Sequence, residues 1–291
     1  MPKAAPNTPE TTARSLSFEV FGNGIQVFYD TDYLADLLRA CYGAFEAPIQ
    51  TAQLSYRITT RHDGSGYHIN SYQLDLPPPQ SDSELIYAFE KDIELGLQHH
   101  HADWYFIHGA AAAFKDRIGI FMAASGSGKS TLTWALLTHG FSYMSDELAP
   151  VEPNTLTVQA YPHALCLKTR PPSPYGLPDT VFQTQRTLHV PVHSLPGEYR
   201  LTAGKVSALF FVRYDPTASA PSLSPVTQGQ AAAQLYANGL NQLAHDNKGL
   251  ATAAMLAGQI DSYQVTTTAN LARSVEQVKQ VLLNEHAACS A

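Results

Sequence analysis

Residues 123–130 read Ala-Ala-Ser-Gly-Ser-Gly-Lys-Ser, and this run constrains the fold more than any other part of the chain. It matches the pattern G-x-x-x-x-G-K-[ST] at every defining position except the first, where Ala123 replaces glycine. An apolar strand is predicted before the run, over residues 118–123, and a helix after it, over residues 130–139. A strand, a glycine-rich loop and a helix in this order predict an α/β fold built around a phosphate-binding loop.

Each defining residue of the loop has a chemical reason for its position. Gly126 and Gly128 let the backbone curl so that its N–H groups surround a phosphate, and the positive end of the following helix favours the anion. Lys129 is placed to reach the β- and γ-phosphates, and Ser130 supplies a hydroxyl for Mg²⁺. The sequence therefore predicts binding of ATP with Mg²⁺ through Ser125, Gly126, Ser127, Gly128, Lys129, Ser130 and Thr131.

An acidic pair follows the loop by one helix. Asp146 and Glu147 stand at the end of a strand predicted over residues 141–144. In a βαβ unit this strand end lies near the phosphate loop, so one acid can hold Mg²⁺ while the other accepts a proton from an attacking hydroxyl. His108 is predicted to end a strand beside the loop strand. The alternatives are a solvated acidic pair and a hydrogen-bonded core histidine.

The chain divides near Pro77-Pro78-Pro79. We predict a disordered tail at residues 1–14, a β-rich N-terminal module at residues 15–79 and an ATP-binding catalytic domain at residues 80–291. The predicted elements are a hairpin over 15–30 turning at Gly22-Asn23-Gly24, helices over 32–45, 81–97, 230–243 and 270–283, and strands over 54–60, 67–76, 105–113, 156–161, 165–168, 208–213 and 263–267.

Composition narrows the partners and the compartment. The chain has 18 Lys and Arg residues against 25 acids, a formal charge of −7, which argues against nucleic acid as a partner. It lacks the roughly 20 continuous apolar residues of a membrane span, and its Pro- and Thr-rich start is unlike a secretion signal, so we expect no membrane partner and a cytoplasmic protein. Cys41, Cys166 and Cys289 lie far apart without a C-x-x-C pair, which indicates neither a disulfide framework nor a zinc cluster.

His108-Gly109, the phosphate loop, Gly140 and Ser145-Asp146-Glu147 together resemble the catalytic core of the HPr serine kinase/phosphorylase family. The resemblance implies an α/β fold of the HPr kinase and phosphoenolpyruvate carboxykinase type, in which the loop binds ATP. It implies that Asp146 is the base on a substrate serine, that Glu147 and Ser130 hold Mg²⁺, and that His108 supports the acids or the phosphates while Lys129 contacts the phosphates.

The layout of the whole chain is more similar to HPr kinase-related proteins of peptide-modification systems, including kinases of lasso-peptide precursors. This resemblance implies a peptide or protein substrate bearing a serine, in peptide natural-product biosynthesis. A second copy of the chain, forming a homo-oligomer, is a further candidate partner.

Three other functions compete with this interpretation. ABC-type ATPases share the loop, but they place their acids far downstream of an L-S-G-G-Q signature that does not occur here. A nucleotide-binding regulatory or assembly module without turnover is favoured by Ala123 and by the absence of the Arg-Gly-x-Gly signature of bifunctional HPr kinases. A kinase of a small molecule such as free serine also fits. Lys168, Arg170 and Arg213 are candidate cations for the transferring phosphoryl group.

Overall fold

The computed structural model describes residues 14–70, 74 and 77–283. The tail predicted at residues 1–14 lies outside this part except for Arg14, as do Cys289 and five residues of the strand predicted over 67–76. The helices are α1 (Asp32–Tyr42), α2 (Asp82–His100), α3 (Lys129–Thr138), α4 (Gln228–Asn238), α5 (Leu250–Gln259) and α6 (Leu271–Leu283). The strands are β1 (Arg14–Val20), β2 (Asn23–Tyr29), β3 (Leu54–Thr60), β4 (Tyr67–Ile69), β5 (Tyr105–His108), β6 (Ala110–Phe114), β7 (Arg117–Met122), β8 (Ser142–Ser145), β9 (Leu148–Glu152), β10 (Thr157–Val158), β11 (Leu165–Leu167), β12 (Phe182–Gln183), β13 (Leu188–Val190), β14 (Gly204–Tyr214), β15 (Ser222–Pro225) and β16 (Ser262–Thr267).

The first four strands form a sheet of their own, in the order β1-β2-β3-β4. Their apolar side chains share one core with helices α1 and α2, and Phe89, Ile93 and Leu97 of α2 belong to it. The strands on either side of Pro79 thus lie in different sheets, whereas the apolar core of the first sheet continues past that residue. The domain boundary at residue 79 stays a prediction.

The hairpin predicted over residues 15–30 is confirmed, but its turn lies elsewhere. Val20 pairs with Asn23, so the turn consists of Phe21 and Gly22, both with positive φ (52° and 75°). Gly24 is a residue of β2, where a Cβ atom would stand 2.2 Å from the carbonyl oxygen of Thr51. Close backbone approach, and not turn geometry, therefore requires glycine at position 24.

The main sheet has the order β5-β9-β10-β14-β7-β6-β8, with β16 beside β14 and β15 beside β16. Strands β7 and β8 each pair antiparallel with β6, so they run in the same direction. Helix α3 connects them, which makes a crossover with one antiparallel strand between its two parallel strands. The end of β8 and the loop after β7 consequently lie at the same edge of the sheet, as the sequence predicts.

One long antiparallel ladder contains both His108 and the strand ends that flank Asp146 and Glu147. Strands β5 and β6 pair with β9 and β8 in a single register, from Tyr105↔Val151 to Ala111↔Ser145. The ladder is interrupted at Gly109, whose N–H donates to the carbonyl of Glu147 at 3.2 Å. The strand predicted over residues 105–113 is therefore divided at Gly109.

Helices cover both faces of the main sheet. Alternate residues of β7 point to opposite sides, so Phe121 packs with helices α3 and α6, while Ile120 and Met122 pack with α4 and α5. The result is a mixed α/β architecture. No helix within the described ranges is long and apolar enough to cross a lipid bilayer.

Candidate functional site

The glycine-rich loop connects the end of β7 to the start of α3, and the strand and helix predicted around it are confirmed. Gly126 and Gly128 have φ angles of 83° and 88°, the left-handed region that favours glycine. Gly128 is the N-cap residue of α3 and has no side chain to cap the first-turn amides. The loop therefore offers backbone N–H groups at the positive end of a helix, and these residues fit a phosphate group.

Ala123 fits its place without strain. The residues described with a positive φ do not include it, and its methyl group is buried in the core beneath α3. Alanine at the first motif position is thus compatible with the loop conformation.

The loop forms one wall of a cleft with a volume of about 270 Å³. The rest of the lining comes from His108, Glu147, Cys166, Leu167, Lys168, Thr169 and Thr187. Cys166 and Lys168 come from β11 and the residue after it, and Thr187 precedes β13. The cleft thus lies between the edge of the main sheet and the small sheet of β11, β13 and β12.

Asp146 lies behind the loop and is fully buried. Lys129 Nζ donates to its carbonyl oxygen and to Oδ1 at 3.1 Å. Oδ2 accepts from Ser130 Oγ at 2.9 Å and from the backbone N–H of Cys166 at 3.3 Å. Burial lowers the pKa of Lys129, but the nearby Asp146 and Glu147 carboxylates outweigh it and raise that pKa above its usual value. Lys129 is therefore a protonated, buried partner of Asp146.

Glu147 faces the cleft with His108. Its Oε2 lies 3.4 Å from His108 Nδ1, and its Oε1 lies 3.9 Å from Lys129 Nζ. Burial raises the pKa of Glu147, but the nearby Lys129 and His108 lower it by more. The resulting pKa lies below the usual range, so the carboxylate is ionised at neutral pH. Burial lowers the pKa of His108 despite the nearby Glu147, which favours a neutral imidazole.

The sequence predicts that both acids face the loop, and the structure separates them. Asp146 contacts Lys129 and Ser130 behind the loop, whereas Glu147 points into the cleft beside His108. Both acids lie in the bend between β8 and β9, where their side chains leave the backbone in different directions and reach different partners.

Of the three other candidate cations, Lys168 contacts the loop, whereas Arg170 and Arg213 do not line the cleft. Lys168 Nζ donates to Ser125 Oγ at 2.5 Å and so reaches the loop. Arg213 is exposed and pairs with Asp215 at 3.4 Å, and Arg170 is exposed and does not line the cleft. Sequence reasoning missed Thr187 and the backbone role of Cys166. Cys166 stands in an apolar strand and looks like a core residue, so no local pattern marks it.

The oxygen atoms at the loop suit a hard divalent cation. Ser130 Oγ and Asp146 Oδ2 lie 2.9 Å apart, and the Glu147 carboxylate lies on the cleft side of Lys129. Hydroxyl and carboxylate oxygens are the protein ligands that Mg²⁺ prefers. These residues therefore fit a magnesium ion bound together with substrate phosphates.

No protein-family model and no curated protein matches the sequence. Among solved structures, the chain is similar to the Hpr(Ser) kinase/phosphatase from Coxiella burnetii, with 12% identity over 60% of this chain and 97% of that chain. The TM-score is 0.29, too low to show a common fold. The functional argument therefore rests on the geometry of the cleft.

Proposed function

We propose that this protein is an ATP- and Mg²⁺-dependent kinase that transfers the γ-phosphoryl group to a serine hydroxyl of a peptide or protein. One arrangement carries the proposal: a loop with two left-handed glycines at a helix N-terminus lines the same cleft as the Glu147–His108 pair. A phosphate on the loop and a hydroxyl beside Glu147 would be neighbours in that cleft. Phosphoryl transfer depends mainly on such positioning and on charge stabilisation.

The contacts support specific roles for the residues. The N–H groups of residues 126 and 128–131 and the Lys129 ammonium bind the phosphates, while the Ser127 N–H already donates to the Ala124 carbonyl. Ser130 and Asp146 would hold a magnesium ion, which would neutralise charge on the β- and γ-phosphates. Glu147, oriented by His108, accepts the proton of the serine hydroxyl. The serine oxygen then bonds to the γ-phosphorus, the bond from that phosphorus to the β–γ bridging oxygen breaks, and ADP leaves.

This assignment reverses the roles that the sequence predicts for the two acids. Asp146 as base and Glu147 as metal ligand stay a prediction, but the contacts favour the opposite. Asp146 is buried and already accepts bonds from Ser130 and Lys129, whereas Glu147 is ionised and faces the space that a substrate would occupy. A phosphate-loop serine and a carboxylate behind it form the usual magnesium site of such loops.

The test is transfer of label from γ-labelled ATP with Mg²⁺ to serine-containing peptides, with free serine and the protein itself as parallel acceptors. We expect label on peptide serine. Lys129→Ala should reduce transfer by roughly 10²- to 10³-fold, because it removes a buried cation from the phosphate site. Lys205→Ala, an exposed lysine on β14, is the matched control and should keep full activity.

The outcomes separate the alternatives. Label on free serine alone would identify a small-molecule kinase. ATP binding without transfer to any hydroxyl would favour a regulatory or assembly module. Unchanged ATP affinity and activity in Lys129→Ala would show that the loop is not the nucleotide site.

A further inference from the structure

A cluster of potential metal ligands lies beside the cleft, between α2 and the small three-stranded sheet. Glu90, His163 and Cys166 each present a ligand atom within 4.8 Å of those of the other two. His189 stands directly opposite Cys166 in the β11–β13 pair, and its Nδ1 lies 3.1 Å from Cys166 Sγ. Three segments that are distant in the sequence, around Glu90, around His163 and Cys166, and around His189, therefore come together beside the cleft.

Glu90 shows that this cluster is incomplete as it stands. Its Oε1 atom is buried and has no hydrogen-bond partner among the described residues. Burial, reinforced by Glu94 and Glu147, raises the pKa of Glu90 to about 8. A buried carboxyl oxygen without a partner is unfavourable, and a bound cation would remove that penalty.

In His163 and in His189, one ring nitrogen contacts an oxygen atom and the other is available to bind a metal ion. His163 contacts the carbonyl of Ala164 through Nδ1, which leaves Nε2 available, and this second contact is the usual way of fixing a metal-binding imidazole. His189 Nε2 contacts Thr187 Oγ1 at 2.7 Å, which leaves Nδ1 directed at Cys166. Burial lowers the pKa of both imidazoles, so both are uncharged at neutral pH.

We propose that Glu90, His163, Cys166 and His189 bind one zinc ion. Thiolate, imidazole and carboxylate are each ligands that zinc accepts, and four of them complete its tetrahedral shell with bonds of about 2.0–2.3 Å. Cys166 lines the cleft, so the ion can enter from solvent by that route. The site is distinct from the magnesium site, which uses the oxygens of Ser130 and Asp146.

Two alternatives to zinc binding by Cys166 fit the surroundings less well: Cys166 as a nucleophile, and Cys41 as the thiolate ligand. Burial raises the pKa of the Cys166 thiol well above its usual range, so without a metal ion the Cys166–His189 pair lacks the thiolate that a nucleophile needs, whereas a bound zinc ion itself deprotonates a coordinating thiol. Cys41 also lies within 4.8 Å of Glu90 and His189, but it is buried on α1 and does not line the cleft. We therefore assign Cys166 and not Cys41 as the thiolate ligand.

The experiment titrates the metal-free full-length chain, without a histidine tag, with Zn²⁺ in competition with a chromophoric chelator, and in parallel with Co²⁺. We expect one ion per chain and a thiolate-to-cobalt charge-transfer band. Cys166→Ser should abolish that band, and Glu90→Gln and His163→Gln should each lower Zn²⁺ affinity by at least about 100-fold. Cys41→Ser and His139→Gln, the matched thiol and imidazole controls, should bind like the unmodified chain.

Far-ultraviolet circular dichroism identifies any variant that fails to fold. The cobalt spectrum of the unmodified chain tests for a thiolate ligand without relying on a variant. The proposal is overturned if the unmodified chain binds neither ion stoichiometrically. It is equally overturned if Cys166→Ser keeps the charge-transfer band, or if Cys41→Ser loses it. Stoichiometric rapid alkylation of Cys166 at neutral pH in the metal-loaded protein would instead support a nucleophilic thiol.

Discussion

The phosphate-loop cleft and the Glu90–His163–Cys166–His189 cluster meet at Cys166, but the chain assembles them differently. The loop and the acids belong to one βαβ unit, so the fold of about thirty consecutive residues places them together. The cluster draws its members from α2, from the segment before β11, and from two strands of the small sheet. Only the complete tertiary fold creates it.

The two regions also differ in how their polar groups are satisfied. In the cleft, Asp146 accepts bonds from Lys129, Ser130 and a backbone N–H, and Glu147 lies beside His108. In the cluster, Glu90 Oε1 has no partner among the described residues. The acids of the cleft have polar partners before any ligand binds, whereas Glu90 Oε1 in the cluster would gain its partner from an ion.

The largest effect is expected from the two acids of the cleft. Glu147→Gln should reduce phosphoryl transfer by roughly 10²- to 10⁴-fold, because it removes the general base, while Mg²⁺ affinity is retained. Asp146→Asn should instead weaken Mg²⁺ binding, since it removes one ligand charge beside Ser130. The measurements are transfer rates over a range of Mg²⁺ concentrations, with the exposed Glu276→Gln as the matched control.

The reverse pattern would restore the assignment that the sequence predicts. In that case Asp146→Asn would lose turnover at full Mg²⁺ affinity, and Glu147→Gln would need more Mg²⁺ for the same rate. Full activity in both variants would exclude the acids from the reaction.

Removal of zinc is expected to have the next largest effect. At a free Zn²⁺ concentration of about 100 times Kd, binding stabilises the fold by about 2.7 kcal/mol. For a chain of 291 residues we expect a strong chelator to lower Tm by about 4–5 °C. Differential scanning calorimetry with and without chelator measures the shift, and Cys166→Ser should show none. An equal shift in both proteins would mean that the chelator acts elsewhere.

The difference between the cleft and the cluster also explains which parts of the structure could be predicted from the sequence. The loop, the helix after it and the strand end at Asp146 follow from local patterns, because glycine spacing and hydrophobic periodicity act over a few residues. The division of labour between Asp146 and Glu147 could not be predicted, since it depends on which side of an interrupted ladder each side chain points to.

The cluster left even less trace in the sequence. His163 and Cys166 are close in the sequence, but Glu90 stands on a helix whose pattern predicts only an apolar face, and His189 follows Cys166 by 23 residues. Spacing within the chain carries no information about ligands that different sheets and helices supply.

Helix α5 was not predicted from the sequence for a simpler reason. Its alanine-rich segment has no clear amphipathic period.

A smaller effect is expected from backbone strain in the loop. Gly126 and Gly176 both have open space where a Cβ atom would stand, but only Gly126 has a positive φ. Gly126→Ala should therefore destabilise the loop conformation by about 1–2 kcal/mol, while Gly176→Ala should be neutral or slightly stabilising. Calorimetric ATP affinity is the measurement, and zinc affinity should not change in either variant. Equal ATP affinity in the two variants would contradict the left-handed loop.

The smallest effect is expected at Lys168, which connects the two regions. Its ammonium donates to Ser125 in the loop, and it follows Cys166 by two residues on the strand that the zinc ion would fix. Because Lys168 is exposed, Lys168→Ala should weaken ATP binding by less than about 1 kcal/mol, or about fivefold, with Lys205→Ala as the control. If zinc positions this lysine, chelation should weaken ATP binding to the unmodified chain by a similar factor and add nothing in Lys168→Ala. Additive effects of chelation and substitution would show that the two sites act independently.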